Sequence, residues 1–137
     1  MATEITWLGH GSWTIHTGGL SLILDPFLDE NPTAPLKSDE IDADYILVSH
    51  GHFDHVADVA AIAHRTKASV IAIYEIAEWF SNNHNVESIT GMNLGGGIDL
   101  PFGRVTMTEA VHSSQLPDGT YGGNPAGFLL ELPEGNV

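Results

Sequence analysis

Three imidazoles and a carboxylate fall within six consecutive residues, His50-Gly51-His52-Phe53-Asp54-His55. These are metal-ligand types: imidazole nitrogen and carboxylate oxygen suit divalent ions, and the chain has no cysteine to offer a thiolate. In extended chain His50 and His52 project to one side, because side chains alternate, so both can bind one ion. Asp54 and His55 follow one tight turn later and can reach a second ion nearby. Gly51 lacks a Cβ and permits the close approach or unusual φ such a turn needs. Asp54 also stands where the N-cap of a following helix would stand.

The flanking chain reads as the elements that position this cluster. Tyr45-Ile46-Leu47-Val48-Ser49 is a buried strand, beginning at Asp44. Val56 to Thr66 is a helix, with Val56, Val59, Ala60 and Ala63 as one buried stripe. Ligands at the carboxyl end of a strand, leading into a helix, are where an α/β protein binds a metal. Upstream, Thr3–Leu8, Trp13–Thr17 and Leu20–Leu24 read as an antiparallel meander with a Gly18-Gly19 hairpin turn. Asp25-Pro26 ends its third strand. Residues 28–43, with Pro32 and Pro35, read as a loop.

Downstream, Ser69–Tyr74 is a strand, and Glu75–Ser81 a short helix with Ile76, Trp79 and Phe80 on its apolar side, ended by Asn82-Asn83. Ser88–Asn93 is a short strand. Gly95-Gly96-Gly97 is a plain turn, since it lacks the Lys and Ser/Thr of a phosphate loop. Arg104–Val111 is a strand ending at His112, Ser113–Asn124 a Gly-rich loop and Phe128–Leu132 a last strand. Pro133–Asn136 is a turn that leads nowhere. Strands alternating with helices after a meander imply an α/β sandwich.

Other candidates stand outside the cluster. His112, at a strand end, is a candidate third imidazole; the rival is an exposed loop residue. Asp25 is a candidate carboxylate that fixes a histidine tautomer; the rival is turn initiation before Pro26. His10, in Gly9-His10-Gly11, either lines a pocket or is a plain loop histidine. His16, His64 and His84 read as surface or strand residues.

The 137 residues make one domain at most, with 42% hydrophobic residues and apolar runs too short to span a bilayer. Met1-Ala2-Thr3-Glu4 carries no basic or apolar leader, so a cytoplasmic location is expected. Net charge is −14, from 18 acidic and 4 basic residues, and Lys37, Arg65, Lys67 and Arg104 do not cluster. A nucleic-acid groove needs clustered cations, so RNA and DNA are disfavoured as substrates. Such acidity also fits a high-salt habitat.

The pattern His-x-His-x-Asp-His, filled here by His50, His52, Asp54 and His55, resembles the signature of the metallo-β-lactamase fold superfamily. Trp7-Leu8-Gly9-His10-Gly11-Ser12, Ile23-Leu24-Asp25-Pro26-Phe27 and Gly123-Asn124-Pro125-Ala126-Gly127-Phe128 resemble the UPF0173 metal-dependent hydrolases, relatives of the ascorbate-6-phosphate lactonase group. That resemblance implies the N-terminal half of an αββα sandwich. It implies a first metal on His50, His52 and His112, and a second held in part by Asp54 and His55. The ions would be zinc, although manganese, iron or nickel also suit such ligands. His10 would line the pocket.

Two metals about 3.5–4 Å apart lower the pKa of a bridging water, and the hydroxide attacks a carbonyl or phosphoryl centre. Asp54 would orient that water or pass its proton to the leaving group. The substrate would be a small-molecule lactone, ester or phosphoester; the alternative is a metal-binding or assembly module without turnover. The family also uses a Gly-Asp-Thr turn, whose Asp bridges the metals, and a later His. Neither is present in this sequence. Leu129–Leu132 would then be an unpaired edge, with one sheet's inner face exposed. The expectation is a C-terminal half of the same fold carried on a second chain or missing from this sequence, with association of further copies left open.

Overall fold

The computed structural model describes residues 2–137. The expected meander forms: β1 (Glu4–Trp7), β2 (Trp13–Thr17) and β3 (Leu20–Leu24) pair antiparallel. From β3 the sheet continues in parallel through β4 (Tyr45–Leu47), β5 (Ser69–Ile73) and β6 (Ile89–Met92), six strands in sequence order. Val70 to Ile73 are all buried, as befits a parallel strand covered on both faces. The crossover segments supply α1 (Phe53–Val56), α2 (Val59–Thr66) and α3 (Tyr74–His84), of which α2 packs on β5 and α3 on β5 and β6.

A second, antiparallel sheet holds β7 (Gly97–Leu100), β8 (Gly103–Glu109), β9 (Ala126–Leu132) and β10 (Gly135–Asn136), in spatial order β10-β9-β8-β7. It lies face to face with the first. Ile15, Leu22 and Leu47 meet Phe128 and Leu130 across a small cleft, and the Tyr45 and Phe102 rings sit 5.1 Å apart. The result is a helix layer on two stacked sheets, the arrangement expected of the N-terminal half of an αββα sandwich.

Several expectations are corrected. Leu129–Leu132 is not an unpaired edge: β9 pairs with β8 along its length, and Leu130 exchanges two backbone hydrogen bonds with Val137. Pro133–Asn136 therefore turns into β10 rather than leading nowhere. Gly97 opens β7, whose Ile98 and Leu100 alternate too briefly to stand out beside the glycines. The helix expected over 56–66 is two helices. It breaks at Asp58, whose carboxylate accepts the Leu28 and Asp29 N–H groups (2.6 and 3.1 Å) and so ties the helices to the loop after β3. Ala60 is only half-buried, and Ile62 takes its place in the core. Helix α3 runs past Asn82-Asn83 to His84, and Asn85 in the left-handed region ends it.

One face of the meander is covered only in part. The register aligns Ile5 with Ile15 and Trp7 with Trp13, so all four share a face. Ile15 is buried in the cleft, but Ile5, Trp7 and Trp13 are 45%, 60% and 38% exposed. Among the described residues, no helix is long and apolar enough to cross a membrane.

Candidate metal centre

The centre is assembled where β3 and β4 end. Past β4, Val48 N–H still bonds to Ile71, and the chain leaves the sheet at Ser49. His52 remains extended (φ −62°, ψ 146°) and is itself the N-cap of α1, so Asp54 sits inside the first turn rather than capping it. Extended backbone from 50 to 52 brings the two rings together, with centroids 4.8 Å apart. Gly51 does not need an unusual φ; its bare Cα admits Leu116, whose Cγ lies 3.1 Å from where a Cβ would be. The same loop holds Gly51 by polar contacts: its N–H donates to Ser114 Oγ, and the Ser114 hydroxyl donates to the Gly122 carbonyl, both at 3.0 Å. That clamp delivers His112, which lies beyond the end of β8 rather than within it.

His50, His52 and His112 each offer a ring nitrogen, and these atoms lie within 4.8 Å of one another. Ring centroids are 4.6 Å from His50 to His112 and 5.1 Å from His52 to His112. His50 is 7% exposed, and its Nε2 is buried with no hydrogen-bond partner. An orphaned buried nitrogen costs about 1–3 kcal/mol unless something fills it. Its place among two further imidazoles fits a cation. Burial first, and the crowding of His55, His112 and His52 next, push the His50 pKa down to about 4, so this imidazole is neutral and able to bind metal at neutral pH.

A second group abuts the first. His10, Asp54 and His55 also bring ligand atoms within 4.8 Å, and the His55 ring lies 4.1 Å from that of His50. His10 Nε2 is 2.9 Å from Asp54 Oδ2, and His55 Nε2 is 3.9 Å from Asp54 Oδ1. His10 thus stands beside Asp54 as a candidate ligand, a role beyond the pocket lining that the resemblance implies. Burial tends to raise the Asp54 pKa, but the charge of His55 and the hydrogen bond from His10 outweigh it and hold the carboxyl below its usual range. For His55 burial pulls down, yet the Asp25 hydrogen bond and the charges of Asp25 and Asp54 win and raise its pKa. Gly11 leaves room for this ring: a Cβ there would sit 2.8 Å from His55 Cε1.

Asp25 lies beneath both groups, buried and in the left-handed region at φ 46°. Its Oδ1 accepts the Ser49 N–H at 2.7 Å, and its Oδ2 accepts from the Ser49 hydroxyl and from His55 Nδ1 at 2.8 Å. It therefore holds a proton on His55 Nδ1 and turns Nε2 towards Asp54. Asp25, His50 and His55 form a third close group, but Asp25 Oδ2 and His55 Nδ1 are already bonded to each other. The chain bends at Asp25, and the carboxylate's hold on a histidine is present. Sequence reasoning missed Ser49, Ser114 and Gly11. Ser49 had a signal, a hydroxyl between an apolar strand and His50; Ser114 had none, because its partner Gly51 is distant in sequence.

Comparison with known proteins accords with this architecture. A family model described as a β-lactamase superfamily domain matches residues 21–137. The chain is 42% identical over 133 residues to a UPF0173 metal-dependent hydrolase of Methylacidiphilum infernorum, covering 96% of this chain and 58% of the relative. It is 41% identical over 137 residues to another of that name from Methanopyrus kandleri, covering 98% and 59%. Among solved structures, Igni18, a metallo hydrolase from Ignicoccus hospitalis, superposes with a TM-score of 0.81 at 25% identity, over 98% of this chain and 58% of that one. The chain thus spans about three-fifths of the length of the relatives it matches. With the family model covering most of its length, the chain belongs to the β-lactamase superfamily domain family.

Proposed function

We propose that this chain is the N-terminal part of a metal-dependent hydrolase with two adjacent cation positions, acting on a small-molecule lactone, ester or phosphoester. The observation that carries this is the buried, unpartnered His50 Nε2 set among the nitrogens of His52 and His112. Those three would hold the first cation; Asp54 and His55, with His10 beside them, would hold part of the second. Nitrogen donors with one carboxylate suit zinc, and manganese, iron or nickel as well. When bound, the cations supply Lewis-acid polarisation of the substrate oxygen and a water acidic enough to ionise near neutral pH.

The chain's own residues do the rest. Asp54, held ionised between His55 and His10, orients the attacking water and passes its proton towards the leaving group. Asp25 keeps His55 in one tautomer. A net charge of −14 without a basic cluster supports a small substrate over RNA or DNA. The exposed Ile5, Trp7 and Trp13 support a C-terminal half, on a second chain or missing from this sequence, that completes the sandwich and the site.

The test is hydrolysis by the completed protein on a panel of lactones, esters and phosphoesters. The expected result is activity abolished by chelation, restored by zinc, and lowered about 100-fold or more by His52→Ala. Two bound equivalents of metal with no turnover on any member would instead identify a binding or assembly module.

A further inference from the structure

We propose that Ser49 is a positioning residue: its hydroxyl carries the hold of Asp25 to His50, so one carboxylate orients a ligand in each cation group. The inference rests on the cation reading above and concerns how the chain prepares its own imidazoles. The contacts are few and directional. The Ser49 hydroxyl meets Asp25 Oδ2 on one side and His50 Nδ1 at 2.9 Å on the other. A hydroxyl has one hydrogen, and a carboxylate only accepts, so that hydrogen goes to Asp25. The lone pair left on Oγ then takes a hydrogen from His50 Nδ1. Neutral imidazole carries one N–H, so His50 Nε2 is left bare, and this is the buried atom without a partner.

The same Asp25 oxygen reaches His55 Nδ1 directly. One ligand of each group is thereby set in the Nδ1–H form by a single carboxylate, directly for His55 and through a hydroxyl for His50. Removing the hydroxyl affects only one of the two. In Ser49→Ala the backbone bonds of residue 49, from its N–H to Asp25 and from Ala126 N–H to its carbonyl, remain available. The His55–Asp25 pair does not pass through Ser49 and is also kept.

The experiment uses the completed protein, metal-free and zinc-titrated, with Ser49→Ala and Ser49→Thr beside wild type. Ring-nitrogen NMR reads the histidine tautomers, and competition with a chromophoric chelator reads zinc affinity. The expected result is a pure Nδ1–H form at His50 in wild type and Ser49→Thr. Ser49→Ala should show a mixed tautomer at His50, an unchanged His55, and zinc bound about 10–100-fold more weakly. An unchanged His50 tautomer in Ser49→Ala, or full zinc affinity there, overturns the proposal. Should Ser49→Ala not fold, the wild-type tautomer decides: Nε2–H at His50 overturns it and Nδ1–H sustains it. Failure of wild type to bind zinc would overturn the cation reading instead, while the tautomer result still judges Ser49.

Discussion

At the scale of single residues, Asp25 has the most to lose. Its carboxylate accepts from Ser49 N–H, the Ser49 hydroxyl and His55 Nδ1, in a buried site. Asp25→Asn is nearly isosteric, and asparagine tolerates the left-handed region, so φ 46° is no obstacle. The amide, however, turns an NH₂ towards donors. We expect a loss of about 2–4 kcal/mol in urea unfolding, the cost of buried donors left without an acceptor. A change under about 0.5 kcal/mol, the range of ordinary surface substitutions, would mean that Asp25 is only a turn residue before Pro26.

At the scale of elements, the segment from Ser113 to Asn124 brings His112 to the site, and its ties set how firmly. Ser114 fastens it to Gly51, and Asp118 fastens its middle to α3 through the Trp79 indole N–H at 2.9 Å. The Thr120 backbone N–H first, and the Trp79 indole next, hold the Asp118 carboxyl below its usual range. A depressed folded pKa means the tie is fully present above the unfolded value of about 3.9 and is lost as pH falls through the lower folded value. Hydrogen exchange at the Trp79 indole should therefore quicken as pH drops through the acid range, beyond the trend of Asp118→Asn. Parallel trends in the two proteins would contradict the tie.

The elements also show what was legible. The strands β3, β4 and β5 stand out as short, mostly apolar runs, and β2 as Trp13 and Ile15 alternating with polar residues before Gly18-Gly19; the ligand cluster is legible because it is contiguous. The break between α1 and α2 is not, because it depends on Asp58 reaching back to Leu28 and Asp29. Strand β7 is hidden by glycines that look like a turn, and β10 by a turn that looks like an ending. Asp25 was a candidate from its place at a strand end, but its partners Ser49 and His55 are 24 and 30 residues away. Such partners are fixed only by the parallel pairing of β3 with β4.

At the scale of the whole molecule, two sheets and one helix layer leave Ile5, Trp7 and Trp13 exposed on one face. The Trp7 and Trp13 rings lie 6.3 Å apart on that face and report on its cover. The relatives extend well beyond the span matched here. Adding the remaining part of a UPF0173 relative as a separate polypeptide should give a stable one-to-one complex and blue-shift the tryptophan emission. Emission unchanged in such a complex would place the added part elsewhere. In that event the exposed face needs another partner.

The central claim is that imidazoles from two distant strand ends share one cation. An anomalous-scattering map of crystals grown with zinc tests it most directly. The account predicts a peak within bonding distance of His50 Nε2 and of ring nitrogens of His52 and His112, with a second peak beside Asp54 and His55. A map with no density among His50, His52 and His112, at zinc concentrations that fill other sites, would contradict it.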